Sequence, residues 1–354
     1  MLEITNRTKK LSMLTVPNSI EKKVLKVQFA VLASILVLLD SQVAWGQHEP
    51  VTKPVCSKHI GRVIAGDRYL VAGSSVCPGD RINPENGGMV EAVCYLNHQI
   101  LHIKQSTIFS SSDICAVPQS NPEQRCTLVS PDKCSIVKGP GEDKDAPTVI
   151  SPSIGRILNT RLTISWSAVA NAKRYIVQVD GTGVNWSSVV QGSTLLPYPS
   201  SRPAMQLGNA YTVSVIADRG DSQMTANSAI ANMLPNQEVQ ELTALIKQLQ
   251  SFNLPPDELL VDLDSAYMSY DLLTEAIDQL NIRIKAGTLN PTIYRLLGDH
   301  YLEVGLLDFA EQIYAKAVTR AKRANNTDEL AKAEAGLRLI ENQFHAPTRT
   351  NAPQ

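Results

Sequence analysis

A chain of 354 residues is too long for one hydrophobic core and divides into two or three domains. A formal net charge of −1, few aromatics (5%) and an ordinary apolar share (43%) argue against a disordered chain and against broad nucleic-acid binding. The charge is unevenly spread. Residues 236–345 hold seventeen Asp or Glu against ten Lys or Arg, a net −7, while residues 47–235 hold fourteen against sixteen, a net +2. An acidic helical end favours basic partners or is simply a solvated face.

Residues 1–46 have the form of a signal peptide. Lys22, Lys23 and Lys26 precede an apolar run, Val27 to Leu39, that Asp40 ends. Its thirteen residues suit a signal-peptide core and fall short of the roughly 20 that a membrane span needs. Ala44-Trp45-Gly46 places small residues where a signal peptidase cuts, before Gln47. An uncleaved anchor is the alternative, and the only route by which this chain would meet a membrane. Either way the folded part is exported, to the periplasm or cell envelope.

Residues 47–137 read as a small cysteine-rich β domain. All six cysteines, Cys56, Cys77, Cys94, Cys115, Cys126 and Cys134, lie here. An even, clustered set in an exported chain predicts three disulfides, whose pairing the spacing leaves open. No pair has the C-x-x-C spacing of a zinc site. Tyr69-Leu70-Val71, Met89 to Leu96 and Ile100 to Ile103 pattern as strands, with turns at Pro78-Gly79-Asp80 and Asn97-His98-Gln99. The segment Gly73-Ser74-Ser75-Val76-Cys77-Pro78-Gly79-Asp80-Arg81-Ile82 and the hairpin after it resemble the FecR-type β domain of bacterial envelope proteins. The dense cysteines depart from that family's pattern.

A Gly/Pro/charge run at 138–145 is a linker. Residues 146–234 then show period-two alternation: Leu162, Ile164, Trp166; Tyr175, Val177, Val179; Tyr211, Val213, Val215, Ala217. Strands so spaced, with Pro and Gly between them, predict a β-sandwich. The Trp166 strand and the Met205 to Val213 segment resemble fibronectin type III domains. That resemblance implies a Tyr211 hydroxyl bonded back to the preceding turn, and no chemistry.

From Asn236 the pattern becomes helical, so residues 236–345 form an all-α region, with a disordered tail at 346–354. Asn236 is a candidate N-cap, and Pro256 and Pro291 open two later helices. The chain repeats itself at 34 residues: Leu263 recurs as Leu297, Tyr267 as Tyr301, Ala276 as Ala310, and Leu280 as Tyr314. Tyr294, Leu297, Gly298, Tyr301, Gly305, Ala310 and Tyr314 resemble the tetratricopeptide (TPR) pattern. Small residues there sit where helices approach closely, and Gly305 allows a tight turn. In the weaker 257–290 repeat, Asp264 and Asp271 replace the two glycines, and residues 328–344 form a capping helix. The fold class is therefore multidomain: an all-β N-terminal half, disulfide-rich domain plus sandwich, followed by a TPR-like helical repeat. The whole order resembles a cyanobacterial-type envelope architecture.

No nucleophile elbow, P-loop or dinucleotide fingerprint is present, so the expectation is a non-catalytic chain with no cofactor or metal. His98 and His102 flank a turn, His300 is read as a surface position on its helix, and Asp180-Gly181-Thr182-Gly183 as a turn. Arg320, Lys322 and Arg323 complement a helix C-terminus and do not signal nucleic acid. By the TPR resemblance a protein or peptide partner would lie on Glu258, Val261, Ser265, Met268, Thr292, Arg295, Asp299, Leu302 and Glu303. Arg295 would clamp a carboxylate, and Met268 and Leu302 would give an apolar floor. The leading function is thus an exported scaffold or adaptor. The alternative is a cell-wall, glycan or ligand-binding protein using the β domains, with Trp186 either stacking on a sugar or filling the core.

Overall fold

The computed structural model describes residues 56, 59–67, 70–85, 87–110, 114–115, 145–220 and 224–344. The leader, Tyr69, Cys126, Cys134, most of the 138–145 linker and the 346–354 tail lie outside them. Strands fill the first half and six helices the second.

The first β domain has a four-stranded sheet ordered β2-β1-β4-β5: β1 (Gly61–Ala65), β2 (Ser75–Val76), β4 (Val90–Cys94) and β5 (Ile100–Ile103). β3 (Asp80–Ile82) pairs separately with β6 (Thr107–Phe109). Val63, Val76, Ile82, Val90, Ala92, Ile103 and Phe109 form its core. Two disulfides, Cys56–Cys77 and Cys94–Cys115, tie this small core together. Such bridges belong to an oxidising compartment.

The second β region is a sandwich. Its larger sheet runs β11-β10-β13-β14-β8: β8 (Arg156–Ile157), β10 (Arg174–Gly181), β11 (Val184–Val190), β13 (Ala210–Asp218) and β14 (Met224–Met233). The smaller runs β12-β9-β7: β7 (Val149–Ser151), β9 (Thr163–Trp166) and β12 (Leu195–Pro197). The alternating residues predicted to face inward do so, with Ile164, Trp166, Val177, Val179, Val213 and Val215 in one core. Tyr211 locks the edge: its hydroxyl donates to the Thr182 carbonyl at 3.1 Å and accepts from the Gln206 N–H at 2.8 Å. Thr182-Gly183 is the β10–β11 hairpin turn, as expected of that glycine-rich stretch.

The helices are α1 (Asn236–Ser251), α2 (Pro256–Ser269), α3 (Leu273–Lys285), α4 (Pro291–Glu303), α5 (Leu307–Arg323) and α6 (Thr327–Phe344). Asn236 is the first helical residue and not the cap, which is Pro235 and offers no side-chain bond. Pro256 and Pro291 occupy first turns, where the missing N–H costs nothing, and Asn290 caps α4 through Thr292 N at 3.1 Å. Each helix packs on the next, while α2 also packs on α4 and α4 on α6. Asp271 and Gly305, 34 residues apart, both take left-handed conformations (φ 65° and 75°) in the turns that reverse the chain. Aspartate tolerates this conformation better than most side chains, so the turn at Asp271 forms without a glycine.

The three regions share packing. Ile64 and Val93 of the first β domain lie in one cluster with Leu242, Leu245 and Leu249 of α1 and Ala266 of α2. The sandwich meets α3: Ser153 Oγ lies 2.7 Å from Thr274 Oγ1, and Glu275 accepts from the N–H groups of Leu158 and Asn159 at 2.6 and 3.0 Å.

Candidate functional site

Helices α2 and α4 carry most of the buried charge among the described residues. The network begins at Arg62, a lone charge within the apolar run of β1. The strand turns this side chain onto α2, where it donates to Asp262 at 2.5 Å and to Glu258, and also to the Gly73 carbonyl at 2.8 Å. Arg62 and Asp262 are both buried. Tyr95 donates its hydroxyl to the other oxygen of Asp262. Burial raises the Asp262 carboxyl to about 6 against the opposing pull of Arg62. One turn further along α2, Ser265 Oγ lies 3.4 Å from His98 Nδ1, at the β4–β5 hairpin.

The next link joins two helices. His300 on α4 donates through Nε2 to Asp264 Oδ1 on α2 at 2.7 Å, with both side chains buried, and its Nδ1 lies 3.8 Å from Glu303. Burial alone would lower the imidazole, but Asp264 and Glu303 outweigh it and lift His300 to about 10, so it is a cation. This corrects the surface reading of His300. The signal in the sequence was Asp264 itself: an acid in the slot that the repeat reserves for glycine needs a partner.

Farther along, Arg295 donates to Glu329 of α6 at 2.6 Å and to Asp299, one turn on. Burial opposes its charge, yet the two carboxylates raise it further. Tyr314 of α5 donates to Asp299 at 2.7 Å. The Tyr314 ring passes between two glycines. A Cβ at Gly298 would meet it at 2.7 Å, and one at Gly336 at 2.5 Å.

This geometry redistributes the residues assigned to a partner groove. Ser265, Leu302 and Glu303 are buried, and Arg295 does hold carboxylates, but those of its own chain. Asp299 belongs to the same network, Thr292 to the first turn of α4, and Val261 packs against the Leu280–Leu297 cluster. The open groove expected across these positions is occupied: the first β domain covers α2, and α6 covers α4. Met268 lines an open cleft of about 380 Å³, with Asn97, His98, Gln99, Ile100, Ser269 and Tyr270. Of the repeat residues, Leu297, Ala310 and Tyr314 are fully buried, Tyr294 nearly so, and Tyr301 accepts from Asn281 at 3.0 Å.

Neither a protein-family model nor a curated protein matches the chain. The site therefore has to be read from its own chemistry. Among the described residues no group of His, Cys, Asp or Glu is arranged to hold a metal ion, because the clustered acids are committed to Arg62, His300 and Arg295. Trp186 is buried, its indole N–H donating to Tyr198 at 3.0 Å, so it fills the core and offers no stacking face to a sugar. His102 is exposed and lies 3.2 Å from Glu91. Arg320, Lys322 and Arg323 sit in the last turn of α5, where cations complement the helix dipole, and the Arg320 guanidinium lies 5.8 Å from the centre of the Tyr294 ring. Among the described residues no helix is long and apolar enough to cross a membrane.

Proposed function

We propose that this chain is an exported, non-catalytic scaffold of the cell envelope, with a FecR-like β domain, a fibronectin type III-like sandwich and a tetratricopeptide-like array that holds a protein partner. The observation that carries the reading is the docking face of α2. It already binds a protein surface in cis, through an arginine, a tyrosine and a histidine of the β domain. Arrays of this kind bind extended or helical segments on the first helix of each pair. The matched left-handed turns at Asp271 and Gly305 support the repeat assignment. The two disulfides support a periplasmic or envelope location.

The test is co-purification of the full exported chain from an envelope extract, compared with a Met268→Lys variant that melts like wild type. A specific protein recovered with wild type and lost with the variant supports the scaffold. Recovery of insoluble glycan without protein overturns it.

A further inference from the structure

The four-stranded sheet of the first β domain ends at β5, which among the described residues has β4 as its only strand neighbour. Cys94 N donates to the Gln99 carbonyl at 2.9 Å, and the register continues Val93↔Ile100, Ala92↔Leu101 and Glu91↔His102. In an antiparallel ladder the bonding direction alternates. Gln99, Leu101 and Ile103 therefore turn their backbone groups to β4, whereas Ile100 and His102 present theirs at the open edge. The side chains alternate too. Leu101 and Ile103 enter the β-domain core, while Ile100 lies on the opposite face, in the cluster shared with α1 and α2.

A strand laid along this edge would place the residue opposite Ile100 on that same face. The space there is the 380 Å³ cleft, with Ile100, Met268 and Tyr270 as its apolar surfaces. No Asp, Glu, Lys or Arg lines it. The cleft is also continuous with the seam between the β domain and α2 of the same chain, since His98 both lines it and contacts Ser265.

We infer that this cleft takes an extended segment of a partner protein, added antiparallel to β5 as a fifth strand. The inference rests on the scaffold reading and names the partner's chemistry. One uncharged apolar side chain enters the cleft opposite Ile100, where flexible Met268 adapts to its shape. Two residues before it, a polar side chain faces the His102–Glu91 pair. The residue between them points away and is unconstrained. Main-chain bonds to Ile100 and His102 supply affinity, and the cleft supplies selectivity.

The probe is a random ten-residue peptide library displayed on phage and panned against the full exported chain. Selected peptides should share an apolar residue with a polar residue two positions before it. N-methylation of the backbone at either of those two positions should weaken binding at least tenfold, and at the residue between them less than twofold. Met268→Lys should weaken binding at least tenfold, and Met268→Leu should preserve it. A methylation profile without alternation, or binding indifferent to Met268→Lys, overturns the inference. So does a benzoylphenylalanine at position 268 that crosslinks, without peptide, to residues 116–144 of its own chain or to a second copy. If no peptide is selected while the chain still co-purifies its protein partner, strand addition falls and the scaffold reading stands. If both fail, both fall.

Discussion

Substituting Gly298 by alanine tests the packing of the helices at a close contact. The added Cβ would stand 2.7 Å from Tyr314 Cδ1 and Cε1. Ordinary carbon contacts lie near 3.5–4.0 Å, so the ring must retreat by about 0.8 Å. Its room is limited, because Gly336 lies so close to the hydroxyl end of the ring that a Cβ there would also collide. A shift also pulls the Tyr314 hydroxyl from Asp299, a bond to a charged group worth about 1.5–3 kcal/mol. Overpacking costs about 1–3 kcal/mol, and alanine returns up to about 1 kcal/mol of helix propensity. The expected net loss is about 1.5–5 kcal/mol if the bond is lost, and more for leucine. Urea denaturation followed by helical circular dichroism is the assay, since residues 236–345 contain no tryptophan. The chain itself suggests the compensating change. In the preceding repeat Asp264 fills the glycine slot and Leu280 stands where Tyr314 does. Gly298→Ala combined with Tyr314→Leu should therefore lose at least about 1 kcal/mol less than the two changes summed. A Gly298→Ala variant as stable as wild type would refute the packing argument, and with it the placement of Tyr314.

Two further outcomes follow from the buried charges. Arg62→Met strands Asp262 in the interface and should cost about 3–5 kcal/mol, while adding Asp262→Leu should restore most of it. Equal losses in the single and double variants would show that Arg62 acts by shape alone. His300 gives a pH dependence of known sign. Its folded pKa, about 10, lies above the unfolded 6.5, so its contribution is complete below pH 6.5 and is lost as pH rises through about 10. The ceiling is about 5 kcal/mol. Urea midpoints should fall more steeply between pH 7 and 10 for wild type than for His300→Gln, and parallel curves would contradict the buried cation.

What the sequence made legible was local or periodic. Trp166, Val177 and Val213 announced inward faces through alternation, and the tetratricopeptide resemblance put Gly298 at a close helix–helix approach, where the Tyr314 ring is found. What it hid were pairings across long stretches of chain. Arg62 and Asp262 are 200 residues apart, and no local propensity links them. The groove residues were misplaced for the same reason. The tetratricopeptide resemblance implies that Arg295 and Leu302 lie on an open face, but a resemblance over α2 to α5 says nothing about which other elements cover it. Two departures carried usable signals: a single arginine inside Gly61-Arg62-Val63-Ile64-Ala65, and an aspartate in a glycine slot. A charge placed where the pattern calls for none implies a buried partner, though not which one.

The position of those departures explains why so few helices suffice. A stacked repeat buries each unit against its neighbours, so its ends expose apolar surface unless capped. At the far end α6 closes the stack, with Gly336 against Tyr314 and Glu329 on Arg295. At the near end α1 buries Leu242 and Leu249, but against Ile64 and Val93 of the β domain as well as against α2. The β domain is therefore part of the array's cap. Arg62 fixes that cap in place, because a guanidinium buried against two carboxylates tolerates little displacement before the charges are left unpaired. Asp264 and His300 then do for α2 and α4 what small residues do for α4 and α5. They hold two helices at a defined separation, by a charge pair where Gly298 and Tyr314 use contact. Asp264, 34 residues before Gly298, bonds to α4, and the helices pack continuously from the β domain through to α6.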